Sequence, residues 1–433
     1  MKKLLSLCLL ALFSLSAAAQ RGFAEHFENA TLRLDYIFGG DAKQQWIALD
    51  EQVRYDGWAG RRSRLTELPM LGNGQIEMRD AATGQLLYVH SFSTLFQEWL
   101  VTEEAAQKTR SFENVFQLPF PKSDVRVTVK LIDARQQVIC SNEQEIKVKD
   151  ILIRRLPNAP KHDFRYLLQS GRAEQCIDVA ILAEGYTEDE LDEFYRDAQV
   201  ACDEIFKYAP FAQLRDRFNL VAVAAKSQDS GVSVPRAGDW RRTAFSAHFD
   251  TFYSDRYLTT LKLKALNNAL QGIPYEHIIV LANTKEYGGG GIYNSYTLTT
   301  AKHPLFKPVV VHEFGHSFAG LGDEYATDDE FAELFPHDIE PWEANITTLV
   351  NFASKWQDML PKGRTIEQVK VRSTDRSKAI GLYEGAGYQT KGVYRAFPDC
   401  RMRTNVATTF CAVCQRHIDR LIKFYTDAAD QNP

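Results

Sequence analysis

Residues 309–325 read VVVHEFGHSFAGLGDEY, and within them His312, Glu313 and His316 stand in the order H-E-x-x-H. Phe306, Val309, Val310 and Val311 make the approach apolar enough to predict a buried helix. At about 3.6 residues per turn, two histidines four positions apart share one helix face, so both imidazoles can reach a single ion. That is zinc-ligand spacing. Glu313 is rotated around the helix, beside such an ion and not on it, where a carboxylate can take a proton from water and pass it to a leaving amine. Gly320 and Gly322 let the chain leave the helix through conformations that other residues resist. The turn folds Asp323 back as a third ligand and leaves a fourth position for water, with Glu324 as the substitute for Asp323. The competing reading of Asp323-Glu324 is an ordinary solvated turn.

The segment is similar to the metzincins, whose pattern is H-E-x-x-H-x-x-G-x-x-H or D. It departs from that pattern by one residue, since Gly320 follows His316 by four places and Asp323 by seven. The run H-E-F-G-H-S-F-A-G-L-G-D-E-Y resembles the bacterial IgA-peptidase family of metzincin-like zinc proteases. The resemblance implies a zinc endopeptidase with Zn²⁺ on His312, His316 and Asp323 and with Glu313 as catalytic base. By association it implies immunoglobulin A or another host glycoprotein as the protein or peptide substrate. It covers roughly residues 176–425.

The chain opens MKKLLSLCLLALFSLSAAAQ, with two lysines, an apolar run and small residues at Ala17 and Ala19. This predicts a signal peptide over residues 1–19, cut before Gln20, too short and wrongly flanked to anchor in a bilayer. Leu7 precedes Cys8 where a lipoprotein signal carries a small residue, so no lipid anchor is expected. The expected location is periplasmic, cell-surface or extracellular. A hydrophobic share of 45%, a charged share of 25% and a net charge of −5 are those of a soluble globular protein. With no basic block and no later apolar span, nucleic acid, a membrane span and a membrane surface are not expected partners.

From about Thr31 to Arg155 the pattern has period two. Val125, Val127, Val129 and Leu131 alternate with Arg126, Thr128 and Lys130, and Asp133 to Gln137 connects into a strand at Val138. Thr83-Gly84 makes a similar turn between strands at residues 74–79 and 85–91. Such strands predict an N-terminal β-sandwich over residues 20–158. Trp46, Trp58 and Trp99 could stack on glycans, although sandwich tryptophans are more often core.

Beyond Pro157 and Pro160 the period changes. Short apolar strands at residues 176–183, 218–225 and 277–282 alternate with helices, one opened by a capping box of Thr187 and Glu190, the other over residues 255–270. The predicted class is α+β: the β-sandwich, then a metzincin-like zinc-protease domain over residues 159–433. That domain comprises a twisted sheet with helices, the active-site helix, an irregular lower subdomain and a C-terminal helix. Gly288 to Gly291 lead into a strand over residues 291–298. By the resemblance this strand edges the cleft and can hold an extended peptide, the plain alternative being a flexible turn. Thr327 to Glu330 read as an exposed acidic loop, and Asn345-Ile346-Thr347 matches a glycosylation acceptor of little weight in a bacterial-type chain.

Near the C-terminus, Cys400-Arg401-Met402 followed by Phe410-Cys411-Ala412-Val413-Cys414 resembles the metzincin methionine turn and its disulfide-tied last helix. Met402 is then a soft base beneath the histidines. A disulfide from Cys400 to Cys411 or Cys414 is favoured over a four-cysteine zinc knuckle, which lacks a second pair at matching spacing. Cys202 and His417 read as ordinary helix residues. Tyr325, Tyr388 and Tyr394 are unranked candidates to stabilise an oxyanion. The two functional alternatives are a glycan- or host-surface-binding protein on a residual protease scaffold, and a cell-wall peptide amidase.

Overall fold

The period-two run at Val125 forms a strand whose valines are buried and whose polar neighbours are not. The computed structural model describes residues 22–327, 335–371 and 379–427. The expected signal peptide and residues 328–330 of the acidic loop lie outside the described residues.

The N-terminal region is β-rich. Its strands are β1 (Phe27–Gly40), β2 (Gln45–Asp56), β3 (Gly74–Asp80), β4 (Leu86–Phe92), β5 (Arg110–Pro121), β6 (Val125–Ile132), β7 (Val138–Ile146) and β8 (Arg154–Arg155). They form two four-stranded sheets, β5-β1-β2-β8 and β4-β3-β6-β7. The predicted turn at Asp133 to Gln137 joins β6 to β7, and that at Gly84 joins β3 to β4. A short helix, α1 (Leu95–Leu100), starts at Thr94, whose hydroxyl accepts the Gln97 N–H. Trp58 and Trp99 are buried, so only Trp46, 44% exposed, presents a face to solvent.

The next sheet has six strands in the order β13-β14-β12-β10-β11-β9: β9 (Phe164–Gln169), β10 (Ile177–Glu184), β11 (Phe218–Val223), β12 (His277–Ala282), β13 (Gly289–Ile292) and β14 (Tyr296–Thr300). The four inner strands are parallel and the two edges antiparallel. β10 is buried at every position, as expected of a strand covered on both faces. Alternation decides what each side chain meets. Ala180 and Leu182 point into a cluster shared with Leu34, Phe38, Phe96 and Phe116 of the N-terminal region. Val179, Ile181 and Ala183 point into a second cluster with α2 (Leu191–Ile205), α4 (Phe306–Ala319) and α5 (Ala412–Thr426). The sheet is therefore sandwiched between helices and the N-terminal region.

Three expectations are corrected. The helix expected over residues 255–270 is only α3 (Leu263–Ala269), because Thr259 bridges His248 as extended chain and the Thr260 hydroxyl bonds the Phe245 carbonyl. The strand expected over residues 291–298 is a hairpin, β13 and β14, turned at Asn294 with φ 52°. The region after the helix is not simply irregular, since it carries a four-stranded sheet β15-β18-β17-β16: β15 (Ile346–Thr347), β16 (Lys370–Val371), β17 (Leu382–Ala386) and β18 (Gln389–Arg395). The capping box at Thr187 and Glu190 is present, with one 3-10 turn before α2.

Candidate active site

α4 is apolar on most sides because it is buried on most sides, with Phe306, Val309, Val310, Val311, Phe314 and Phe318 all in the interior. A run of three valines has modest helix propensity, so tertiary packing holds this helix. Phe314 and Phe318 stack at 5.1 Å, and Phe211 packs on both. Gly320 ends the helix at φ 54°, its N–H on the His316 carbonyl at 2.8 Å, while Leu321 N–H reaches back to Gly315 at 3.2 Å. The reversal delivers Asp323.

His312 Nε2 and His316 Nε2 lie 3.0 Å apart, and Asp323 Oδ1 is 3.1 Å from the first and 3.3 Å from the second. His312 Nδ1 meets the Arg401 carbonyl at 2.9 Å and His316 Nδ1 the Leu321 carbonyl at 2.5 Å. A carbonyl only accepts, which assigns the proton of each neutral ring to Nδ1. Both Nε2 lone pairs then face each other and a carboxylate oxygen that has no hydrogen-bond donor among the described residues. Three lone pairs converging in one place could hold a metal ion. Burial opposes charge on His316, yet the Asp323 carboxylate outweighs it and pushes the ring up to about 9. Burial likewise opposes charge on Asp323, which the two histidines nonetheless hold far below the usual carboxylate range.

Glu313 stands beside this trio, its carboxyl raised above the ordinary range by burial. The glycine run has a packing reason: a Cβ on Gly289 would sit 3.0 Å from Glu313 Oε1, and one on Gly291 would sit 2.2 Å from the Glu313 carbonyl oxygen. The outer rim of β13 is not bare, as a peptide-binding edge requires. Tyr257 makes a parallel bridge to Gly289, and its ring covers Gly290. Tyr257 in turn donates to Glu98 of α1, whose carboxyl burial pushes up to about 7. Neither residue was singled out by the sequence, because Glu98 lies some two hundred positions from the helix it approaches.

Met402 is wholly buried, its sulfur 2.7 Å from where a Cβ on Gly315 would stand, so the glycine between the histidines admits the thioether. Tyr388 donates to Asp323 Oδ2 at 2.5 Å, and Tyr325 stacks on His312 with centroids 6.5 Å apart. Tyr394 instead faces Glu384. Glu324 turns away from the histidines: it is 0% exposed, its Oε1 3.0 Å from Asn345 Nδ2 and 3.2 Å from Cys414 Sγ. It is no substitute for Asp323. Asn345 is itself fully buried and holds Gly322 through both its oxygen and its nitrogen, so it is no glycan acceptor in the folded chain. The expected disulfide is absent: Cys400, Cys411 and Cys414 are free, with Sγ separations of 3.8 and 3.5 Å against a bond of about 2.05 Å. Cys202 is buried on α2, and His417 Nε2 meets the Ala319 carbonyl at 2.9 Å as an ordinary helix residue.

The family model of IgA Peptidase M64 matches residues 166–369 and 362–422. The chain belongs to the IgA Peptidase M64 family. Residues 22–142 match the Peptidase M64 N-terminus. No curated protein matches the chain. This M64 chain is therefore a metallopeptidase, a hydrolase of peptide bonds with an N-terminal β-rich domain and a helix-containing peptidase domain. Among the described residues no helix is long and apolar enough to cross a membrane.

Proposed function

We propose that this M64 peptidase is an exported zinc endopeptidase whose metal ligands are His312, His316 and Asp323 and whose catalytic base is Glu313. The carrying observation is the convergence of two Nε2 atoms and Asp323 Oδ1 within 3.3 Å, with both Nδ1 atoms spent on carbonyls. Two nitrogens and one oxygen suit a catalytic zinc set, in which the fourth position belongs to water. Zinc there would supply Lewis-acid chemistry, acidifying water and polarising a carbonyl.

The chain's own residues do the rest. Glu313 holds and moves the proton, taking it from attacking water and returning it to the departing amine. Arg401 and Leu321 carbonyls fix the ring orientations, and Tyr388 fixes Asp323. Met402 is the base of the site, in keeping with a methionine turn and a metzincin-like peptidase domain. The N-terminal strands are read as a β-sandwich whose helix α1 reaches the site through Glu98, which accepts from Tyr257 of the peptidase domain. Tyr257 on the β13 rim argues that substrate lies along this edge only where the rim is open or once that segment moves.

The leader MKKLLSLCLLALFSLSAAAQ supports export, and the family's description supports immunoglobulin A or another host glycoprotein as a protein substrate. Cleavage of a peptide library by the full chain, with and without a zinc chelator, tests the reading. Glu313→Gln is expected to retain metal and lose cleavage, and chelator-resistant cleavage would overturn it.

A further inference from the structure

The backbone at Asp323-Glu324 sends two neighbouring carboxylates to opposite sides, and the second reaches a group of three thiols. Glu324, Cys400, Cys411 and Cys414 are all buried, and their ligand atoms lie within 4.8 Å of one another. Cys414 Sγ is 3.8 Å from Cys400 Sγ, 3.5 Å from Cys411 Sγ and 3.2 Å from Glu324 Oε1, while Cys411 Sγ to Glu324 Oε1 is 3.9 Å. A tetrahedral zinc with Zn–S of about 2.3 Å and Zn–O of about 2.0 Å spaces its sulfurs about 3.8 Å apart and its sulfur–oxygen pairs about 3.5 Å apart. The four distances between Cys414 or Cys411 and their neighbours lie within about 0.4 Å of those spacings.

Two further observations favour a cation over a packed set of thiols. Glu324 Oε2 is buried with no hydrogen-bond partner among the described residues, a costly condition for a carboxylate that a cation or a proton would relieve. The Cys411 N–H points at Cys400 Sγ at 3.1 Å, the kind of donor that stabilises a thiolate ligand. Cys411 is also the N-cap of α5, so the positive end of a 15-residue helix faces the sulfurs.

The geometry points to a second, structural metal site, a closed zinc-type centre of Cys400, Cys411, Cys414 and Glu324. It ties three pieces of chain together: the segment carrying Asp323, the turn carrying Met402, and α5. Glu324 N–H already donates to the Met402 carbonyl at 2.8 Å, and the Arg401 carbonyl beside it orients His312. The centre thus braces the catalytic ligands from beneath without touching substrate, and its fourth donor is a glutamate where a four-cysteine knuckle would have a cysteine.

The test measures zinc bound to the full chain, wild type against the double variant His312→Ala, His316→Ala. Cobalt-loaded forms of both are read for thiolate-to-metal charge-transfer absorption, and thiols are counted by alkylation before and after denaturation without reductant. Two zinc ions on the wild type are expected, and one on the double variant, which keeps the thiolate band. The three clustered thiols should resist alkylation until the chain unfolds. Loss of all zinc in the double variant, or a denatured chain two hydrogens lighter than its reduced form through a disulfide among these cysteines, would overturn the proposal. A wild type with one zinc that the double variant retains would support this centre and sink the histidine site instead. Cys414→Ser should abolish the band; because that variant has a chance of not folding, the histidine variant decides.

Discussion

The two buried donor groups flanking Asp323 and Glu324 differ in how they are finished. The histidine group has three donors, with Glu313 alongside and the Glu98–Tyr257 pair nearby. The cysteine group has four donors, lies wholly inside and has a helix N-terminus over it. A metal with an open position can do chemistry, and one enclosed by four protein donors can only hold chain together. Adjacent residues of similar chemistry are thus set to opposite tasks by which way each points.

Substitutions on either side should fail differently. The largest effect is expected from Glu313→Gln: kcat lower by about 10³-fold with metal content unchanged. If metal is lost as well, Glu313 belongs to the ligand set. Asp323→Asn should weaken zinc binding on the order of 100-fold while leaving the unfolding midpoint of the metal-free chain nearly unmoved. Glu324→Gln should do the reverse, costing about 3 kcal/mol in urea unfolding with a smaller loss of activity. Equal phenotypes for these two neighbours would erase the distinction. Tyr388→Phe, which removes only the hydroxyl on Asp323, should lower zinc affinity about 10-fold.

The smallest effect concerns pH. Burial raises the Glu98 carboxyl to about 7, so between its ordinary value and that one the folded chain keeps a proton the unfolded chain has lost. Its contribution to stability is full below the ordinary value and falls as pH rises through about 7. The thermal midpoint of the chelated protein should decline over this range, and Glu98→Gln should flatten the decline. An unchanged slope would show that Glu98 is not the group that keeps the proton.

Local patterns were legible because their causes are local. The alternation at Val125 to Leu131, the capping box at Thr187 and the apolar run into His312 each state a period or a cap that neighbouring residues enforce. Residues 255–262 were misread because Thr259 and Thr260 bond to His248 and Phe245, partners on another loop. The glycines of β13 looked like a turn or a substrate groove, and the reason for them is the backbone of α4 pressed against the strand.

The shared face of His312 and His316, the glutamate beside them and the glycine that ends the helix can be read from residue order alone, since one turn of α-helix fixes which side chains share a face. Long-range packing settles that Asp323 faces the histidines while Glu324 faces Cys414, and that Glu98 of the N-terminal region comes near His316 and Glu313. Those choices depend on chain segments far apart in sequence, joined by buried hydrogen bonds and packing that no local period encodes.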